Sequence, residues 1–153
     1  MSKHIYFNLQ HEKYGPFSNF YNCMFTYKDM IVYSVEAAFQ CEKTIDCVER
    51  YRIAHLSPAL AKKAGRKVKL REDWEQVKFQ VMFDACYAKF SQNLELRDLL
   101  LSTDDALLIE NTTGWHDNIW GYCSCPKCVN EVHQNLHGKV LMLVRDTLVK
   151  ESS

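Results

Sequence analysis

Apolar residues follow two rhythms along this chain. Ile5 to Asn8 and Met24 to Val32 carry β-branched and aromatic residues, the second around the turn-like pair Lys28-Asp29, which predicts short strands. Between them Tyr14-Gly15-Pro16-Phe17-Ser18-Asn19-Phe20 is a turn-forming loop. From Ser34 onward the rhythm is mainly helical. Ser34 can cap a helix from about Val35 to Asp46, and Ser57-Pro58 pairs a cap with proline at the first helical position, with Gly65 closing that helix. Asp73 and Gln76 resemble a capping box opening a helix that buries Val77, Val81, Ala85 and Ala88 with Phe79, Met82, Cys86 and Phe90. Leu94 to Leu101 predicts a short helix, Leu107 to Glu110 an extended segment, and Gly138 to Val149 a last helix burying Val140, Leu141, Val144 and Leu148. The fold class expected is mainly α with a small antiparallel β element.

Composition narrows this to one domain over residues 1–153. The 153 residues are 47% hydrophobic and 25% charged, with no repeat, low-complexity tract or linker, which excludes a disordered chain. Nineteen basic residues balance nineteen acidic ones, so no global field draws nucleic acid or an anionic membrane, and an anionic partner needs a local pocket. No stretch reads as a signal peptide or reaches the ~18 apolar residues of a membrane span, so a cytoplasmic protein is expected. Seven cysteines, an odd number, fit that compartment, and Cys23, Cys41, Cys47 and Cys86 are scattered at apolar or helical positions as buried thiols would be.

Two segments concentrate polar residues that could carry chemistry. In Ser34 to Lys43, Glu36, Gln40 and Lys43 fall at i, i+4 and i+7 on one helical face, which is also how an ordinary solvated face looks. In Thr113 to Tyr122, two tryptophans, Asp117 and two glycines share a loop too polar for a core strand. Such a loop either lines a pocket, with rings stacking on a base and Asp117 bonding ribose hydroxyls, or is a structural turn with tryptophan packed inward.

Tyr14 to Phe20 resembles the opening G-x-F-S-N-F loop of the NADAR (YbiA-like) family, and Ser34 to Lys43 resembles its T-S-E-H-Y-F-Q-A-Q-K helix. Ser57 to Arg66 is similar to S-P-x-x-A-x-x-x-G-R, and Arg71 to Met82 to R-x-x-W-x-x-V-K-x-x-V-M. Lys89-Phe90 with Leu99, Leu100 and Thr103, then Asp117 to Gly121 (D-x-x-W-G), and Asn135 to Arg145 (N-x-L-G-x-x-L-M-x-x-R) complete the order. Ala37-Ala38 replaces the family's His-Tyr and His137 replaces a leucine; these departures bear on the substrate.

The resemblance implies an N-glycosidase that breaks a C1′–N bond of ribosyl-phosphate compounds, riboflavin-biosynthesis intermediates of the 5-amino-6-ribosylaminouracil phosphate type first. The alternatives are an ADP-ribosyl hydrolase acting on modified bases or other conjugates, or a non-catalytic ADP-ribose-binding module. Such a bond leaves through a ribose cation-like state or a ring-opened imine, which calls for a carboxylate near C1′, a proton donor or base, and anion-binding groups. On the matched positions Glu36 is the acid/base, Asp117 orients ribose or water, and Lys43 binds phosphate or acts as an amine on an opened ribose. Trp74 and Trp120 would stack on the base, Trp74 alternatively being a core anchor. Gly15, Ser18, Asn19, Phe20, Gln40, Gly121 and Asn135 complete the substrate-facing set, Asn135 alternatively capping the last helix and Arg145 holding an ion pair. A purely structural interaction domain would scatter these residues. No cofactor is implied, no membrane partner is expected, and nucleic acid would bind only if it carries ADP-ribose.

Cys123-x-Cys125-x-x-Cys128 has metal-like spacing, with His116 or His133 as a possible fourth donor. A second paired ligand motif is missing, and the family's loop here is glycine-rich without cysteines, so no metal is the first expectation; structural zinc is the alternative, and catalytic zinc is disfavoured because three thiolates leave a weak Lewis acid.

Overall fold

The computed structural model describes residues 3–152, which group into two units. In the unit Asn19–Arg97, β2 (Phe25–Tyr27) and β3 (Met30–Val32) form the antiparallel hairpin around Lys28-Asp29, with Phe25 opposite Val32; β1 is His4–Phe7 of the other unit. Alternation works as the pattern requires: Phe25, Tyr27, Met30 and Val32 are buried, and Thr26 and Ile31 are exposed. Four helices follow: α1 (Val35–Cys41), α2 (Cys47–Ala54), α3 (Pro58–Gly65) and α4 (Trp74–Gln92). Every residue of α1 is buried, because α2, α3, α4 and β3 all pack against it. Gln92 closes the unit by exchanging two hydrogen bonds of 2.7 Å with the backbone of Thr26.

Two helix boundaries differ from expectation. The helix from Ser34 stops at Cys41 instead of Asp46, and α2 was not anticipated as a separate element. Short polar side chains break the run: Thr44 Oγ1 accepts the Asp46 N–H at 3.1 Å, and Asp46 caps α2 by accepting the Glu49 N–H at 2.9 Å. The capping box also fails to form. Asp73 turns its carboxylate to the Arg71 guanidinium, a charge-assisted pair that outcompetes a neutral cap. Ser34 and Ser57 do cap α1 and α3, and Gly65 is the last residue of α3.

α5 (Leu94–Leu101) carries the chain into the other unit, residues 3–18 with 98–152. There β1 pairs in parallel with β4 (Leu107–Glu110), His4 opposite Leu107, adding a parallel pair to the expected antiparallel one. α6 (Leu136–Glu151) packs on β4 through Gly138, where any Cβ would lie 2.0 Å from the Leu108 carbonyl oxygen. The expected faces of Val140, Leu141, Val144 and Leu148 are buried. His137 is buried too, its Nε2 2.8 Å from the Phe17 carbonyl oxygen and its ring edge-on to Phe7. Arg145 forms no salt bridge among the described residues; it donates to Thr103 Oγ1 and the Ala106 carbonyl, both at 2.9 Å. Among the described residues no helix is long and apolar enough to cross a membrane.

Candidate active site

α1 holds the chemistry of the unit Asn19–Arg97. Glu36, 8% exposed, sits in its first turn, and Gln40 one turn later donates Nε2–H to Glu36 Oε2 at 2.8 Å. The Glu36 backbone N–H donates to the Asn19 carbonyl at 3.0 Å, which ties the loop preceding the hairpin to the helix start. Two buried side-chain oxygens of the residues tied to Glu36, Asn19 Oδ1 and Gln40 Oε1, accept no hydrogen bond. Buried acceptors left open cost energy, so a donor-bearing ligand would find them prepared. Gly65 makes room for Gln40: a Cβ there would lie 1.9 Å from Oε1.

Lys43 lies beyond the end of α1, not on its last turn as the i+7 spacing implied. The turn still brings its ammonium over the rings of Phe39 and Trp74, 5.8 and 5.9 Å from their centroids. Burial lowers its pKa below the ordinary 10.5; Glu36 opposes the shift, and Arg66 and Lys62 reinforce it. A lysine depressed by desolvation and cationic neighbours is a better amine nucleophile than a surface one. Trp74 is buried, edge-on to Phe39 at 5.0 Å, so most of its ring serves the core. Phe20 lies under the Lys62 ammonium at 5.7 Å.

Asp117, Trp120, Gly121, Asn135, Gly15 and Ser18 belong to the other unit. Asp117 Oδ1 accepts the N–H groups of Ile119 and Trp120, both at 2.9 Å, and fixes the turn that presents the half-buried Trp120. Gly121 is needed for closeness, because a Cβ would meet Thr112 Cγ2 at 2.2 Å. Asn135 does not cap α6. Its side chain spans β4, accepting from the Glu110 N–H at 3.0 Å and donating to the Leu108 carbonyl at 2.9 Å. Gly15 opens a 3-10 turn against the Leu9 carbonyl, and the Ser18 N–H donates to the Gly15 carbonyl.

The pattern defining the NADAR domain matches residues 6–149. The chain belongs to the NADAR family. It is 37% identical to the N-glycosidase YbiA of Escherichia coli over 150 residues, covering 96% of this chain and 89% of that protein. An N-glycosidase of Nostoc punctiforme is 35% identical over 94% of this chain and 92% of its own length. The NMR structure of E. coli YbiA superposes with a TM-score of 0.86 over 99% of this chain and 89% of that one, at 36% identity. A chloroplastic riboflavin biosynthesis protein of Arabidopsis thaliana is 37% identical over 72% of this chain, which spans 18% of that protein. As a NADAR protein with these relatives, the chain is an N-glycosyl hydrolase.

Two features of this NADAR fold escape the sequence reading, and a third is visible there only as metal-like spacing. Glu42, only 3% exposed, gathers Arg50, Lys28 Nζ at 2.7 Å and the Tyr27 hydroxyl at 2.7 Å. Its burial pushes its pKa up, but hydrogen bonds from Lys28, Arg50 and Tyr27 win and hold it below the usual carboxylate value. Lys89 is fully buried between the rings of Tyr21 and Phe90, and burial lowers its pKa against the pull of Cys23 and Cys86. The signal was present, since Lys89 stands at i+4 from Ala85 and i+7 from Met82 on the apolar stripe of α4. The third feature is the cysteine loop. His116 Nδ1 lies 3.4 Å from Cys123 Sγ, 3.3 Å from Cys125 Sγ and 3.6 Å from Cys128 Sγ.

Proposed function

We propose that this N-glycosidase hydrolyses the C1′–N bond of ribosyl-phosphate compounds of the riboflavin-intermediate type, 5-amino-6-ribosylaminouracil phosphate being the first substrate to test. The observation that carries the reading is the buried Glu36 carboxylate held by Gln40, with the Lys43 ammonium near enough to feel its charge. Glu36, oriented by Gln40, serves as the acid/base that protonates the departing nitrogen and then draws a proton from water. The unpaired oxygens of Asn19 and Gln40 accept ribose hydroxyls, and Trp74 closes the wall behind Lys43. Asp117 and Trp120, in the other unit, keep the ribose-orienting and base-stacking roles that the family resemblance implies. The riboflavin biosynthesis name of the Arabidopsis relative supports the substrate class.

In this reading Lys43 adds as an amine to C1′ of the ring-opened imine, and the base leaves with its nitrogen protonated by Glu36 as the C1′–N bond breaks. Water then hydrolyses the resulting Lys43 imine to release ribose phosphate. The depressed pKa of Lys43 keeps more of it neutral than a surface lysine at the same pH. Activity then rises with pH as Lys43 loses its proton, with the midpoint below 10.5. Mass spectrometry of products from a panel of N-ribosides, including ADP-ribosyl guanine, tests the substrate. Release of free base from the phosphoribosyl amine is expected; turnover of the ADP-ribosyl compound alone would transfer the reading to ADP-ribose conjugates. Borohydride during turnover should trap a covalent adduct on Lys43. Its absence, with a raised KM in Lys43→Ala, would reduce Lys43 to a phosphate ligand.

A further inference from the structure

Residues 122–135 have little apolar core of their own: Val129 and Val132 are 65% and 80% exposed, and the side chains that go inside include Cys123 and Cys128. A segment without apolar content needs another staple. All donor atoms of His116, Cys123, Cys125 and Cys128 lie within 4.8 Å of one another. With zinc–sulfur bonds of about 2.3 Å and zinc–nitrogen bonds of about 2.0 Å, a tetrahedron has N···S edges of about 3.5 Å. The three observed N···S distances, 3.4, 3.3 and 3.6 Å, are close to that edge.

The backbone is arranged around these donors. His116 is held at φ 59°, a left-handed conformation unfavourable for a non-glycine residue, and its N–H is anchored on the Thr112 carbonyl at 3.0 Å. The Cys128 N–H closes a turn on the Cys125 carbonyl, and the Cys123 N–H is taken by Asn118 Oδ1 at 2.9 Å. His133, the other imidazole in the loop, is engaged elsewhere, with Nε2 3.1 Å from the Cys123 carbonyl and its ring stacked on Tyr122.

We infer that His116, Cys123, Cys125 and Cys128 bind one zinc ion in a closed, structural Cys3His site. Four protein donors leave no open position, so the ion is a staple and not a Lewis acid. Three thiolates and one imidazole in a tetrahedron suit zinc among the divalent metals. Because His116 directly precedes Asp117, the ion also holds the turn that carries Asp117 and Trp120. This second consequence rests on the proposed active site; the metal site itself does not.

Protein purified under reducing conditions without chelator should contain about one zinc per chain by elemental analysis. Cobalt exchanged into the wild-type protein should give the intense visible bands of tetrahedral cobalt together with thiolate charge transfer. Cys125, partly exposed, is the mildest position to change, and folded Cys125→Ser should lose at least about tenfold in zinc affinity against a chromophoric chelator. The inference is overturned if reduced wild-type protein mixed with equimolar zinc retains less than roughly a tenth of it after dialysis. Six-coordinate cobalt without charge transfer, stoichiometric iron in place of zinc, or a Cys125→Ser protein that keeps full zinc affinity overturns it as well. None of these readouts depends on glycosidase activity, so failure here leaves the proposed reaction standing, and failure of that reaction leaves the zinc site standing.

Discussion

The surroundings of Glu36 and the loop from Thr112 to Asn135 are organised by opposite means. Around Glu36, a helix buried on all sides fixes every position, and a polar residue placed there meets its i+4 neighbour by the geometry of the backbone alone. In the loop, almost no regular structure exists, and side-chain acceptors do the folding: Asp117 for its own turn, Asn118 for Cys123, Asn135 for β4. A site made by a helix tolerates substitution at its margins, whereas a site made by caps and donor atoms depends on each of them.

The sharpest way to break this contrast is to remove a polar residue that holds the helical region together. Glu42→Ala strips three donors of their acceptor and should cost about 3 kcal/mol in denaturant unfolding, Lys28 and Arg50 being exposed enough to regain water. The folded pKa of Glu42 lies below its ordinary 4.5, so the carboxylate stabilises the fold fully above that ordinary value. The contribution is lost as pH falls through the folded pKa, and Glu42→Gln should flatten the acid limb of stability against pH. A loss under about 0.5 kcal/mol would show that α1 and α2 need no charge network.

Next in size is Glu36→Gln, which keeps shape and hydrogen bonding to Gln40 but not the negative charge or the exchangeable proton. Its kcat should fall by at least ~100-fold with KM little changed. Near wild-type turnover on the true substrate would remove Glu36 from the chemistry. In the loop, Trp120→Ala should weaken substrate binding by ~1 to 3 kcal/mol while the fold persists. Global unfolding of that variant, read by circular dichroism, would make the ring a core anchor and bring the loop closer to the helical region in character.

The smallest effect sharpens the comparison. In Gly65→Ala the new methyl displaces Gln40 and with it the support of Glu36, while alanine adds about 1 kcal/mol of helix propensity. Thermal stability should therefore move little as kcat falls about tenfold, the scale of one charge-assisted hydrogen bond. A fall in stability with unchanged kcat would mean that Gln40 serves packing alone.

Much of the helical region was legible because its signals are local. Ser34, Ser57-Pro58 and Gly65 announce helix ends through the backbone groups they satisfy or avoid, and Glu36 with Gln40 lies one turn apart wherever the helix goes. Where two local signals competed, the sequence could not rank them. Asp73 had the pattern of a cap but met Arg71, and the run past Cys41 looked helical until Thr44 and Asp46 took the backbone. Asn135 had the look of a cap and is instead a brace for a strand 25 residues earlier.

The family, and through it the class of reaction, was legible in motifs matched in order, and the mainly helical fold and the pairing of Glu36 with Gln40 in the period along one chain. Tertiary structure decided which charges are buried together and which donors meet. Glu42 finds Lys28, 14 residues back in the hairpin, and Lys43 reaches the rings of Phe39 and, 31 positions onward, Trp74. His116 lies with Cys123, Cys125 and Cys128, a choice that spacing alone left open between His116 and His133. The physical reason is the same in each case: burial makes a lone polar group expensive, and only the folded chain determines which partner is near enough to relieve it.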